Sequence, residues 1–594
     1  MKQLIRDLVN QALSALVAAS KDSINDSATA MPEFLVENAK SREHGDFACN
    51  AAMAAAKLLR QKPRDLAAAI VANLPANPNV AKVEIAGPGF LNFFMRAESM
   101  YAVIGEVLRL GAEFGRTNLG ANEKLTVEYV SANPTGPMHV GHGRGAAYGS
   151  SLSNILASAG FNVQREYYVN DYGRQMDIMA TSLWLRYLDL HQITTRFPEN
   201  AYKGAYVTEM AAPLAAEFGA AFVCDGAALM ANLPPDESQG GDKDKHVDAL
   251  IANAKTLLGS AKFRQVYDFA LARLQAEIKA ELVKFNVVHD EWFSERSLAE
   301  SGALQSVVAA LTERGQMETR DGALWFKATE YGDEKDRVVV RENGQSTYFA
   351  SDIAYLKNKF ERGYDRAIYI LGADHHGYIA RLKAAASGLG IDPNRVEVDL
   401  VQFARLFKDG VEVSMGKRGG QFVTLADLRE EVGTDAARFF YVMRSHEQHL
   451  DFDMELAKKQ SSDNPVYYVQ YAHARICRVF ERLIERGLSA FDAVLGVANL
   501  GLLSEARELS LIAAIGRFSE VINSAANTRS PHVIANYVRD LAAQLHGVYD
   551  SPPRLEILCS DAGLRNARLA LMAATRQVLK NGLALLGVAA PDSM

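Results

Sequence analysis

A glycine-rich turn carrying two histidines, set between two apolar runs, does most to limit what this chain can fold into. Leu125 to Val130 reads as a buried strand, and the segment Ser131-Ala-Asn-Pro-Thr-Gly-Pro-Met-His-Val-Gly-His142-Gly-Arg-Gly-Ala follows it. Gly143 to Ala159 then reads as a helix of small residues ended by Gly160, and Phe161 to Val169 as a second strand. Strand, turn, helix and strand in this order form a βαβ unit. Ligands of such units bind beyond the carboxyl ends of the strands, where His139 and His142 fall.

The spacing of the histidines has a chemical use. Residues three apart at a helix start share one face, so two imidazoles there can donate to one anionic ligand. The helix N-terminus adds unpaired N–H groups and the positive end of its dipole. Gly141 lets a flat base approach the backbone, and Gly143 and Gly145 are expected to let the helix pack tightly on the sheet. Taken alone, the four-residue pattern serves equally well as an ordinary strand-to-helix turn with two incidental histidines.

Composition narrows the class. A chain of 594 residues holds several domains, and 48% hydrophobic with 23% charged residues suits a soluble globular protein. The net charge of −7 does not announce a nucleic-acid binder, so an RNA partner would need local basic patches on an acidic body. Cys49, Cys224, Cys477 and Cys559 are isolated, with no C-x-x-C pair, so no structural zinc site is expected and a reducing cytoplasm is. The amphipathic start Met1-Lys-Gln-Leu-Ile-Arg-Asp lacks an apolar signal core, and no apolar run is long enough to cross a bilayer.

The run Asn133-Pro-Thr-Gly-Pro-Met-His-Val-Gly-His142 resembles the first signature of class I aminoacyl-tRNA synthetases, most closely that of the arginyl-tRNA synthetase family. The signature spans Ala132, Asn133, Pro134, Thr135, Gly136, Pro137, Met138, His139, Val140, Gly141 and His142. A second signature, Lys-Met-Ser-Lys in the family, is matched by Ser414-Met-Gly-Lys417: Ser414 replaces the first Lys, Gly416 replaces Ser, and Lys417 keeps the last position. The following Gln-Phe-Val-Thr-Leu425 and Asp427-Leu also match. The resemblance implies ATP contacts from His139, Gly141, His142, Met415 and Lys417, with His139, His142 and Lys417 as catalytic donors to phosphate oxygens. It implies an arginine pocket from Glu128, Asn133, Tyr348, Asp352 and His376. Within Tyr348-Phe-Ala-Ser-Asp352 the aromatic and the carboxylate lie four apart, on one face if helical. A guanidinium needs such a counter-charge, and Asp352 is assigned to it, Asn133 to the α-ammonium and Glu128 to either end. The bland alternatives are an exposed acid at a helix start for Asp352 and a buried carboxylate paired with a nearby Arg for Glu128.

The fold class expected is α/β: a Rossmann-like parallel-sheet catalytic domain with an N-terminal α+β module and a C-terminal all-α helical domain. Residues 1–106 form the module, which in the resembled family contacts tRNA; Leu4, Leu8, Leu13 and Leu16 mark its opening helix. Residues 107–450 form the catalytic domain, with a mobile insertion near 213–259 whose polar run Asp236 to Lys245 reads as a solvated loop. Residues 451–594 form the anticodon-binding domain, where Tyr471, His473, Arg475, Arg478, Arg539 and Tyr549 are candidates to face RNA.

The activity implied is ligation of arginine to its tRNA, with ATP as substrate, Mg²⁺ accompanying the nucleotide, no protein-held metal, and a monomeric enzyme away from membranes. Two other readings stay open. One is a class I synthetase for another amino acid, although cysteinyl enzymes need zinc-binding cysteines and apolar-residue enzymes carry large editing insertions. The other is a catalytically silent RNA-binding paralogue, against which both histidines and Lys417 argue.

Overall fold

The computed structural model describes residues 1–19, 32–39, 42–413 and 423–594. The chain forms two compact units, Glu113–Arg478 with Phe518–Ala543 and Val578–Met594, and Met1–Ala112 with Val479–Arg517 and Gln544–Gln577.

The larger unit is organised on five parallel strands: β1 (Lys124–Glu128), β2 (Asn162–Val169), β3 (Glu291–Ser294), β4 (Arg366–Gly372) and β5 (Val396–Val401). Their order in the sheet is β5-β4-β1-β2-β3. β1 is buried on both faces from Leu125 to Glu128, as expected of a parallel strand covered by helices. Strand order reverses between β1 and β4, which opens a crevice at their carboxyl ends. Three helices matter most for that crevice: α1 (Val140–Ser158), α2 (Tyr348–Glu361) and α3 (Tyr378–Gly388).

α1 packs closely on its surroundings because Ala146, Ala147, Gly149, Ser150, Ser151 and Ser153 are small, and all are buried. The glycines divide this work differently from expectation. A Cβ at Gly149 would stand 2.3 Å from the Tyr129 ring, so this is where helix meets sheet. A Cβ at Gly143 would instead meet Tyr441 at 2.9 Å, on the helix Thr434–Val442, and one at Gly145 would meet nothing within 4 Å.

The polar run read as a solvated loop is largely helix and turn. Helices cover Ala205–Phe218 and Gly226–Met230, and Lys243–Lys284 is helical with a break at Gly259 (φ 71°). Asp236 is buried, its carboxylate accepting the Glu199 and Glu237 N–H groups at 2.9 and 2.7 Å. Burial raises its pKa, but these bonds and His246 outweigh it and leave the carboxyl below its ordinary value. Asp242 caps the long helix by accepting from Asp244 and Lys245. Aspartates and glycines serve caps and turns as well as loops, so composition misled here.

The smaller unit contains a four-stranded antiparallel sheet, ordered Val36–Asn38, Phe47–Cys49, Phe90–Met95, Val80–Ala86. The helix Lys2–Ala19 buries Ile5, Leu8, Val9, Ala12 and Leu13; Leu4 and Leu16 are only partly buried, at the edge of that stripe. Pro63 opens a further helix, Pro63–Asn73, at the position where its missing N–H costs nothing.

From Pro465 onward the chain is mainly helical. Ile534, Tyr537, Val538, Leu541 and Leu545 are buried as their spacing requires. His473 is buried, its Nδ1 2.8 Å from the Pro591 carbonyl, so it does not face RNA. Tyr549 is half-buried with its hydroxyl on the Met572 sulfur, whereas Tyr471, Arg478 and Arg539 are exposed. Among the described residues, no helix is long and apolar enough to cross a membrane.

Candidate active site

His139 is the N-cap of α1, and the signature closes on itself through backbone donors. The Gly141 N–H donates to His139 Nδ1 at 3.1 Å, and the His139 N–H donates to His142 Nδ1 at 3.2 Å. Both Nδ1 atoms therefore act as acceptors, which puts the proton of each neutral imidazole on Nε2. The rings stack with centroids 3.7 Å apart and planes at 28°. A Cβ at Gly141 would meet the His139 ring at 2.8 Å, so glycine is required by the cap itself. The result is a pair of parallel N–H donors at a positive helix end, suited to anionic oxygens.

These residues border a cleft of about 1320 Å³. Asn133, Thr135, Gly136, Pro137, His139, Val140, Gly141 and His142 line one side, with Phe403 and Val423. Glu199, Tyr202, Lys203, Tyr206, Glu237 and Lys243 line it too, all from the segment leading into and through the polar run. Tyr206 donates to the Thr135 carbonyl at 2.7 Å and steadies the turn before His139. Sequence reading passed over this wall because its residues carry no motif.

The second signature is represented by its flanks. The Val413 N–H bonds to Leu406 O at 2.8 Å. On the other side Val140 N–H bonds to Val423 O at 3.2 Å, Leu425 N–H bonds to Met138 O at 2.9 Å, and His139 bridges Thr424. The chain thus returns to the histidine turn just after residue 422. Met415 and Lys417 lie outside the described residues.

Arg144, on α1, was not singled out from the sequence. It is buried, and its guanidinium donates to the carbonyls of Gln402 and Gln448 at 2.7 Å and Ser445 at 2.9 Å. Burial pulls its pKa down to about 10. It ties the signature helix to the segment that supplies Phe403.

A second cavity, of about 80 Å³, is lined by Glu128, Tyr168, Asp352, Tyr355, Tyr369, Leu371, Tyr378 and Leu382. It gathers side chains from the ends of β1, β2 and β4 and from α2 and α3. Asp352 Oδ2 is buried without a hydrogen-bond partner among the described residues. Burial raises the Asp352 pKa to about 7, with Arg381 opposing and Glu128 adding to the rise. Glu295 is also raised to about 7 by burial and by the nearby Asp352 charge. Glu128 is different: Lys359 Nζ stands 3.1 Å from its Oε2 and Ser131 Oγ donates to its Oε1 at 3.1 Å. Its partner is a lysine where an arginine was weighed.

The five expected arginine contacts do not converge on one cavity. Glu128 and Asp352 share the small one, while Asn133 lines the large cleft, its Oδ1 accepting from Asn170 at 2.9 Å and its Nδ2 donating to Gln175 at 2.8 Å. Tyr348 opens α2 and is 59% exposed, and His376 is exposed; neither lines either cavity. Tyr355 and Lys359, at helical spacings of three and seven from Asp352, were missed, although that spacing puts them on its face.

A parallel sheet with this order and two stacked imidazoles capping the helix after β1 define a class I tRNA synthetase. Sequence profiles agree: one described as tRNA synthetases class I (R), catalytic domain, matches residues 104–207 and 252–464. Profiles for the arginyl tRNA synthetase N terminal domain and the DALR anticodon binding domain match residues 3–95 and 469–594. The chain belongs to the arginyl-tRNA synthetase family. It is 53% identical to an arginine–tRNA ligase of Legionella pneumophila (strain Paris) and 52% identical to one of Thioalkalivibrio sulfidiphilus, each over 594 residues and the full length of both chains. A solved structure of a putative arginyl tRNA synthetase from Campylobacter jejuni aligns with a TM-score of 0.72 at 31% identity, covering 84% of this chain and 99% of that one. The Thermus thermophilus arginyl-tRNA synthetase shares the fold across all of both chains, with a TM-score of 0.73 at 23% identity.

Proposed function

We propose that this chain is an arginine–tRNA ligase whose large cleft holds ATP and whose small acidic cavity selects arginine. In the first step an oxygen of the arginine carboxylate attacks the α-phosphorus of ATP. The bond to the bridging oxygen breaks, giving arginyl-adenylate and pyrophosphate. In the second, the 3′-terminal adenosine of the tRNA attacks the arginyl carbonyl through its 2′-hydroxyl, and AMP leaves.

His139 and His142 donate through Nε2 to phosphate oxygens whose charge grows as the bridging bond breaks, and Lys417 adds a positive charge. Such donors work because they are already oriented when the charge appears. Mg²⁺ enters as part of the nucleotide substrate and offsets phosphate charge. Gly141 and Met415 lie against the nucleotide. Asp352 neutralises the guanidinium inside the small cavity, with Glu128 beside it. Asn133, Tyr348 and His376 contact the rest of the amino acid when the pocket is filled. Residues 1–106 and 451–594 bind the tRNA, and residues 107–450 form the catalytic domain. The enzyme works as a cytoplasmic monomer.

One observation supports the arginine assignment most: a buried carboxylate oxygen without a partner, in a cavity too small for a nucleotide but fit for a planar cation. ATP–pyrophosphate exchange with each amino acid, with and without tRNA, tests the reading. Exchange with arginine in the presence of its tRNA is expected. Exchange with another amino acid makes it a different class I synthetase, and tRNA binding without any exchange makes it a silent paralogue.

A further inference from the structure

Behind the small cavity lies a buried cation that the reaction as written does not use. Lys359, on α2, is fully buried. Its ammonium stands 3.1 Å from Glu128 Oε2, pairs with Glu166 Oε1 and donates to the Tyr355 hydroxyl at 2.8 Å. It also lies 4.1 and 5.0 Å from the ring centres of Tyr355 and Tyr369, which wall the cavity. Glu166 has a second cation, Arg362, at 2.5 Å. Its carboxyl is accordingly held down at about 2, the cations Lys359 and Arg362 outweighing burial. Among the described residues, Glu128 by contrast pairs with Lys359 alone, and Asp352 forms no ion pair.

We propose that Lys359 is a positioning residue for arginine selection: it pairs with Glu128 beneath the cavity, so that of the two carboxylates lining it Asp352 is the one left to await a cation. This rests on the assignment of the small cavity to arginine. Two neighbouring buried carboxylates without a cation cannot both stay ionised. With Lys359 in place, Glu128 has a cation partner of its own, and the arriving guanidinium is left to Asp352. The other charged groups around Asp352 are Arg381 on α3 and Glu295 after β3; Asp171, further back, accepts from Ser294 Oγ and the Arg296 N–H.

The test compares E166Q with K359M/E166Q, in which the lost charges balance. Arginine KM in the exchange assay, with tRNA present, is followed between pH 6 and 9. E166Q leaves Lys359 to Glu128 and is expected to keep the wild-type profile. In the double variant Glu128 competes with Asp352 for a proton, and the pH below which KM climbs is expected to move up by about one unit or more. A folded double variant with the profile of E166Q overturns the proposal, because a merely structural lysine would not set that midpoint. If the double variant does not fold, wild-type arginine binding is followed by calorimetry at about pH 8.5 in buffers of different ionisation enthalpy. Almost no proton release is expected there, and release of a full proton shows that Glu128 is not held ionised and refutes the proposal. Absence of arginine-dependent exchange in the wild type would instead sink the arginine assignment itself.

Discussion

The large cleft and the small cavity are built from different material. In the cleft, the donors are set by the main chain: a helix start, two imidazoles oriented by backbone N–H groups, and a backbone bridge from Val423 to Leu425, while Lys203 and Lys243 on its wall pair with Glu199 and Glu237. In the cavity it is side-chain charge that counts, contributed by separate strands and helices and mostly removed from water. Donors held by the backbone are in place before the ligand arrives. The cavity keeps an uncompensated carboxylate until its ligand arrives, so it should be the pH-sensitive half.

The largest effect should come from the cavity. Asp352→Ala leaves a desolvated guanidinium without its counter-charge, and broken buried ion pairs cost about 3–5 kcal/mol. We expect kcat/KM for arginine to fall by roughly two to almost four orders of magnitude, with the KM for ATP little changed. Steady-state exchange at varied arginine and varied ATP separates these, and equal damage to both would mean that the two regions are not functionally distinct.

Lys417→Ala should act in the opposite sense. Removing one charged donor to a developing negative charge lowers kcat by about 10²–10³. Arginine KM should stay near the wild-type value, since nothing made only in the transition state contributes to ground-state binding. Pre-steady-state formation of arginyl-adenylate reads this directly. Normal activation by the variant removes Lys417 from the catalytic set.

Acid pH offers a milder perturbation. The Asp352 pKa is raised by burial to about 7, so the free enzyme takes up a proton there as pH falls. The guanidinium stays charged throughout, and binding must expel that proton. kcat/KM for arginine should therefore decline below about pH 7, by up to tenfold per unit, with Glu295 sharing the titration. The KM for ATP should not follow this curve. Asp352→Asn should flatten it, and a curve unchanged in that variant would move the titration to another group.

The same division explains what was legible in the sequence. The βαβ unit and the histidine turn are local, and local periodicity and turn chemistry announce them. The cavity is not local. Glu128, Tyr168, Asp352 and Tyr378 meet only because β1, β2 and β4 lie side by side, and no spacing within one segment encodes that. Lys359 was readable in principle, seven residues beyond Asp352 on the same helix, yet its importance lies in Glu128 and Glu166 on two other strands. The wall from Glu199 to Lys243 was hidden by composition, because a cap aspartate and a loop aspartate look alike.

Two glycines of α1 provide the finest test of how tightly the cleft helix is held. Mid-helix Gly→Ala ordinarily stabilises by about 0.5–1 kcal/mol, because glycine loses more backbone freedom on folding. At Gly145, with nothing within 4 Å of a new Cβ, that gain should appear in full as a small rise in Tm. At Gly149 the new methyl would stand 2.3 Å from the buried Tyr129 ring, and overpacking of this kind costs about 1–3 kcal/mol. Gly149→Ala should therefore lower Tm despite its better helix propensity. Because Tyr129 directly follows Glu128, any forced shift of that ring should also weaken arginine binding more than ATP binding. Thermal melts of both variants read the sign, and a stabilised Gly149→Ala protein would mean that the helix lies further from the sheet than its small residues imply.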